Sequence, residues 1–534
     1  MPMNITTKSL DHHGIVAGFY DFLEIGDVID DVMPKKGPHN LPHSIVVKAM
    51  VLNALGFTDS RLYMFSRYFE TLPTERLLGE GVKTADLNDD IFGRTLDRIY
   101  DSDPTELFMK IVLKAMEKLQ FGTQLVHGDT TNFSLFGGYE NIDDSPAIEI
   151  TYGHPKDGRT DLKRFVLSMI TNQHGFPLFS KSYSGNASDK ETILESMQRF
   201  KENFHFPEDI YYIADSALYT EDNVKAMGNE MLWISRVPAT LKMAKELINK
   251  ELIMEEGSDT RYSFYEHLAE YGGIRQKWVL VRSKEMQKSR LKTYEKRLKK
   301  DFKKYKSEIK ELKQEEFACE EDARKAVQKW IKKHPRCLLD SLDISTVSHR
   351  LNGEKGRPKK GEKLKISYLV NPKIIPNEPL IREEKKKLGR FILATNDLTL
   401  DSEQILEYYK DQNKVERGFR FLKDKSFRVS EVYLKKPERI EALSMIMVLT
   451  LFVYSTVEWI LRKRLKESGE YIPNQLDKPT QKPTLKWVFM LFRGITEVKI
   501  DSSDERQIAN LDEMLWKIID LLAFAEAVTP SGVT

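Results

Sequence analysis

The sequence predicts a mixed α/β fold, flanked by helical regions and interrupted by an insertion. Three observations carry this. Residues 121–236 alternate between strand-like and helix-like patterns, as a layered α/β domain does. Residues 1–120 and 401–465 instead carry apolar residues at helical spacing. Residues 237–400 break the alternation with further strands around a long charged segment.

In the N-terminal region, "SIVVKAMVLNALGF" is an apolar helix ending at Gly56, and "DSRLYMFSRYFETL" follows after a short break. "DDIFGRTLDRIY" and "PTELFMKIVLKAMEKL" complete a bundle, with Pro104 in a first helical turn. The two short helices around Gly56 to Asp59 suit a helix-turn-helix and, equally, plain bundle packing.

The α/β region opens with "TQLVHGDTTNFSLF", which is rich in Thr and aromatics. "RFVLSMITNQHGFPLFSKSYS" reads as two strands joined by a Gly-containing turn. "SDKETILESMQRF" is a helix with a capping-box pattern at Ser188 and Glu191. "DIYYIADSALY" is a buried strand ending at Asp215, "TEDNVKAMG" a short helix and "EMLWISRVP" a last strand.

The insertion, residues 237–400, has strands at "TRYSFYEHL", "RQKWVLVRS", "LKISYLV" and "GRFILATND". Between them, about Lys284 to His334, runs a charged helical segment of intermingled sign, which reads as a solvated hairpin or arm. Residues 401–465 return to helix, and residues 466–534 read as a helical C-terminal region with a polar break. The run Ala442 to Val457 is shorter than a bilayer-spanning helix and is flanked by charges, so it reads as a buried core helix.

A net charge of +2 announces no nucleic-acid binder, so any such surface must come from local segregation of charge. Two cysteines without a CxxC pair exclude a disulfide framework and fit a reducing, cytoplasmic compartment. The start, "MPMNITTKSLDHHG", lacks a signal-peptide pattern.

The chemistry concentrates in "EYYKDQNKVERGFRFLKDK", Glu407 to Lys425. On one continuous helix, Tyr409, Gln412, Glu416, Arg420 and Lys423 fall within about 80° of one another. That face carries a hydroxyl, an amide, a carboxylate and two cations, while Leu406, Val415 and Leu422 follow another stripe. By periodicity alone it also fits an ordinary solvated surface. Two further carboxylates stand out: Asp129, inside a strand where Asp is uncommon, and Asp215, at a strand end. Three hard carboxylate ligands suit Mg²⁺ or Mn²⁺, and two such ions can clamp the attacking and leaving oxygens of a phosphodiester. Arg420 and Lys423 are then cations for flanking phosphates.

The spacing Tyr-x2-Gln-x3-Glu-x6-Lys at 409, 412, 416 and 423 resembles the Tyr-Arg-Glu-Lys signature of bacterial insertion-sequence DDE transposases, with Gln412 replacing Arg. The resemblance extends to "HGDTTNFSLFGGY", "YGHPKDGRTDLKRFVLSMITN", "GNASDKETI", "YYIADSALYT" and "LNDDIFGRTLD", in the expected order. It implies a ribonuclease-H-like catalytic core, started by 121–236 and completed by 401–465, with a largely β insertion at 237–400 and a DNA-end-binding role for residues 1–120.

It further implies Asp129, Asp215 and Glu416 as ligands of two Mg²⁺ (or Mn²⁺) ions per site, with Tyr409 and Lys423 holding phosphates. The activity implied is cleavage of double-stranded DNA at terminal inverted repeats and strand transfer to target DNA by a homodimer, through a hairpin intermediate in cut-and-paste members. Trp233 and Trp278 are candidates to stack a flipped base, and core packing is the alternative for each. Arg357, in "KGRPKKGEK", resembles the centre of a minor-groove-binding AT-hook; a basic solvated loop is the alternative. His127 shares the strand face of Asp129 and reads as a packing residue. Two other functions remain compatible with the residues: a catalytically silent DNA-binding relative, and a metal-dependent nuclease without strand transfer.

Overall fold

The computed structural model describes residues 5–35, 41–56, 65–139, 146–155, 158–205, 209–350, 363–424, 434–500 and 505–522. The chain forms two compact units, one of residues 1–236, 269–277 and 394–534, the other of residues 237–268 and 278–393.

In the first unit, the strands lie in the order Pro177–Ser184, Lys163–Asn172, Leu125–Leu135, Tyr211–Ala214, Leu232–Val237. The first three are antiparallel, and the last two run parallel to Leu125–Leu135. This is the strand order and sense of a ribonuclease-H-like core. Helix Asp189–Asn203 covers one face. Ser196 Oγ donates to Ser168 Oγ at 2.8 Å, and Thr130 Oγ1 to Asp189 Oδ1 at 2.7 Å. The predicted cap at Ser188 is not formed by its side chain.

Helix Pro437–Ser468 is apolar on nearly every side and therefore needs cover all round. Among the described helices it alone is long and apolar enough to cross a membrane, but 78% of its most apolar window is buried inside the protein. Helices His43–Leu55, Asp89–Asp101 and Pro104–Leu119 pack against it. Arg439 grips Asp97 through two hydrogen bonds of 2.6 and 2.7 Å. Glu441, near its start, accepts the Ile148 N–H at 2.9 Å, and burial pushes its carboxyl up to about 7.

The folded protein thus keeps a proton that the unfolded chain releases between about pH 4.5 and 7. Stability falls as pH rises through that window. The expected loss from this group between pH 5 and pH 8 is about 2 kcal/mol. Glu441→Gln should remove it, leaving a variant more stable than wild type at pH 8 and similar at pH 5 in urea denaturation.

Both ends of the chain depart from the predicted all-helical regions. Strand Ile5–Ser9 pairs with Thr496–Ile500, which pairs with Glu505–Ala509, all antiparallel. Partners almost five hundred residues apart leave no local turn signal for a reader of the sequence.

The second unit holds the 29-residue helix Lys284–Leu312, helices Glu320–Lys333 and Glu378–Lys387, and a long antiparallel pair, Cys337–Arg350 with Leu364–Pro376. Ala323, Val327 and Val370 form its small core, with Leu342, Ile344 and Tyr368 packed around them. Arg336 ties the helices together by pairing with Glu384 at 2.9 Å and Asp301 at 3.2 Å. Cys319 is exposed, Cys337 is buried, and both are free thiols.

Candidate active site

Parallel pairing sets the first geometric fact. Leu125–Leu135 and Tyr211–Ala214 run in register up to Gly128 opposite Ala214. Asp129 and Asp215 each follow that pair by one residue. Two aspartates 86 residues apart in sequence therefore stand side by side where the parallel pairing ends. Both are half-buried. Asp215 is fixed by its surroundings: its Oδ1 accepts the Ala217 N–H at 2.8 Å, and its carbonyl accepts Ser235 Oγ–H at 2.8 Å.

The Glu416 segment is two helices, not one. Ser402–Lys410 ends at Asp411, and Asn413–Leu422 follows. Asp411 and Gln412 keep right-handed dihedrals, but the bonds across them tighten to the three-residue type: Gln412 N–H to Tyr409 O at 3.2 Å and Lys414 N–H to Asp411 O at 2.9 Å. The reason is local. Asp and Asn compete for nearby backbone groups, and "KDQN" has no apolar residue to hold a helical face. The expected continuous arc from Tyr409 to Lys423 is therefore interrupted, and Gln412 is buried at the start of the second helix.

Both helices lie on the sheet face that carries Asp129. His127, two residues before it, is wholly buried and donates from Nε2 to the Tyr408 carbonyl at 3.0 Å. Burial lowers its pKa to about 4, so it is a neutral anchor for the first helix, as the packing reading expects. On the second helix, Val415, Gly418, Phe419 and Leu422 face inward and Glu416, Arg417 and Arg420 are exposed. A Cβ on Gly418 would come within 2.8 Å of Met169 Cε and 3.0 Å of Leu451 Cδ2. Met169 is the cross-strand partner of Asp129. Glycine is thus what lets the Glu416 helix lie this close to the aspartate strand.

Tyr409 lies within the electrostatic reach of Asp215 and Glu416. Its phenol is mostly buried, hydrogen-bonded to Arg236, and raised to about 12. Burial is the main cause; the negative charges of Asp215 and Glu416 add to it, and Arg236 opposes it. Arg236 was not visible from sequence. The only signal was a cation inside the apolar strand "LWISRV", next to the Asp215 strand once the sheet forms. Lys423 closes the second helix, donates from Nζ to Thr131 Oγ1 at 2.6 Å, and lies over the Phe133 ring at 5.3 Å. Thr131 and Phe133 share a strand face with Asp129.

Trp233 and Trp278 are both buried, 0% and 1% exposed, and neither offers a surface for a flipped base in this arrangement. Arg357, and residues 57–64 of the suggested helix-turn-helix, lie outside the described residues.

Residues 142–453, more than half of the chain, match a family described as "Transposase DDE domain". The chain belongs to the DDE transposase family. Residues 5–113 of this transposase also match a domain of unknown function (DUF4277). No curated protein matches it. A solved structure, "Mos1 transposase paired-end complex with left transposon end", is similar at 14% identity over 37% of this chain and 60% of that one, with a TM-score of 0.14. The match thus spans less than two thirds of that chain.

As a donor set, Asp129, Asp215 and Glu416 fit a hard divalent cation such as Mg²⁺. Among the described residues, no three His, Cys, Asp or Glu side chains already converge as a closed metal cage. The aspartate pair is prearranged by the sheet; Glu416 is exposed on the adjoining helix and has solvent through which to turn.

Proposed function

We propose that this DDE transposase binds the terminal inverted repeats of an insertion sequence, cuts the DNA strand there and joins the released end to target DNA. The observation that supports the reading is that Asp129 and Asp215 each follow the last parallel pair, Gly128 with Ala214, while the Glu416 helix packs on the Asp129 strand. Asp129, Asp215 and Glu416 are the residues that would hold two Mg²⁺ (or Mn²⁺) ions, whose chemistry is to activate a water or 3′-hydroxyl and stabilise the leaving oxygen. Tyr409 stays protonated at any working pH and donates a hydrogen bond to a phosphate oxygen. Arg236 holds that phenol and supplies a cation beside Asp215, in the neighbourhood where uncharged Gln412 occurs in place of Arg. Lys423 and the exposed Arg420 meet the phosphates flanking the cut. Two ends must be brought together, so the working form is a homodimer on DNA. A hairpin intermediate follows if the freed hydroxyl attacks the opposite strand.

The test uses a labelled duplex carrying the element's own terminal repeat and a second, unlabelled duplex. Nicking and joining are expected with Mg²⁺ or Mn²⁺, and neither with EDTA. Nicking without joining would support a nuclease instead, and binding without nicking a catalytically silent relative. Cleavage unaffected by chelation would overturn the metal-dependent reading.

A further inference from the structure

The helix Lys284–Leu312 contains twelve Lys and Arg against five Asp and Glu, and all twelve cations are exposed. Their placement is not random. Seven lysines from Lys288 to Lys310 are spaced 4, 4, 3, 4, 3 and 4 residues apart. At about 100° per residue they occupy one arc of about 80°, and no other residue between 288 and 310 falls inside it. The row is about 33 Å long at 1.5 Å per residue. Buried Tyr294 and Ile309 lie on the far side of the helix.

Three of the five acids of this helix pair within its own unit. Asp301 pairs with Arg336 at 3.2 Å, Glu295 with Lys385 at 3.2 Å, and Glu308 accepts from Trp330 Nε1 at 3.0 Å and pairs with His334 at 3.0 Å. None of the seven lysines makes an ion pair among the described residues. At the start of the row, Lys284, Lys288, Arg382, Lys385 and Lys386 line a cleft of about 500 Å³ together with Gln287 and Leu291. The sequence reads as intermingled charge because the acids and cations alternate along the chain. The helix nevertheless gathers seven of its twelve cations into one arc that holds no acid between residues 288 and 310.

We propose that this lysine row is a second, sequence-independent contact for double-stranded DNA, separate from the catalytic carboxylates. This inference rests on the DNA reading above. The row matches in length one turn of duplex, about 34 Å. Lysine ammoniums are hydrated point charges that suit phosphate contact without reading bases. A membrane surface fits poorly, since the apolar face such a helix would insert is already packed within the protein.

The test is full-length protein against a 35-base-pair duplex of arbitrary sequence with no terminal repeat, followed by fluorescence anisotropy over a salt series. Lys292→Gln, Lys299→Gln, Lys303→Gln and Lys306→Gln are combined in one variant. Its affinity at low salt should fall at least tenfold, and its slope of log Kd against log salt should flatten by about 2–4, near 0.9 per lost phosphate contact.

The control neutralises Lys325, Lys329, Lys332 and Lys333 on the neighbouring helix, leaving the same net charge, and should bind as wild type does. Unchanged thermal melting of both variants excludes misfolding, which exposed Lys→Gln changes are not expected to cause. Equal loss in the control, or no loss in the row variant, would overturn the proposal. So would row-dependent binding stronger to duplex RNA or to anionic vesicles than to DNA. Because the duplex carries no repeat and cutting is not scored, failure here leaves the nicking test of the catalytic reading intact.

Discussion

Glu416→Gln is expected to lower metal-dependent nicking of repeat-end DNA by about a thousandfold or more, equivalent to about 4 kcal/mol of transition-state stabilisation. The substitution keeps the size and helical propensity of an exposed side chain, so the melting temperature should stay within a degree or two of wild type. Asp129→Asn and Asp215→Asn should be as severe. Asn at 215 can still accept the Ala217 N–H, so the turn after the strand survives while the charge is lost. Three variants that fold, still bind DNA and fail to cut would assign all three carboxylates. Cleavage by Glu416→Gln at the wild-type rate would remove Glu416 from the site, and with it the role given to the helix Asn413–Leu422.

Gly185→Ala is expected to be among the most damaging single methyl additions in the first unit, at about 3–5 kcal/mol. A Cβ at 185 would overlap the carbonyl oxygens of Arg164 and Thr151, and one at Gly153 would overlap the carbonyl of Gly185. These are backbone atoms held by hydrogen bonds: Thr151 and Arg164 exchange N–H···O bonds of 3.2 and 2.9 Å, and Gly185 N–H reaches Glu149 O at 3.0 Å. No rotamer change can make room. Soluble yield and the urea midpoint should both drop for Gly185→Ala, whereas Ala at exposed Gly122, which has open space around it, should leave them near wild type. The two glycines belong to "YGHPKDGRT" and "GNASDK".

The strands of the core are readable because each carries its own local pattern, and Asp129 is readable as a carboxylate inside a strand, whereas Asp215, at a strand end, carries only a weak signal by itself. Periodicity also found the inward stripe of Val415 and Leu422, both buried. It failed at Asp411 and Gln412, where a polar turn tightens the helix without a Gly or Pro to mark it. Arg236 could not be found locally, because its relation to Tyr409 exists only after two strands and a helix distant in sequence have docked. Strand Cys337–Arg350 was overlooked for a different reason: its alternation is mostly exposed and polar, so it lacks the apolar face by which strands are recognised. The pairing of residues 5–9 with 496–500 is long-range in the same way as Arg236.

The distance along the chain between the aspartates and Glu416 has a consequence for synthesis. The strands bearing Asp129 and Asp215 can pair as soon as the first 236 residues emerge, but Glu416 follows Asp215 by 201 residues. At about 5–20 residues per second, that is a delay of about 10–40 s on the ribosome. Throughout that interval the nascent chain has the sheet and two of its acids but no third carboxylate. A product truncated within residues 237–393 would have the same composition: the strands of the first 236 residues and both aspartates, without Glu416.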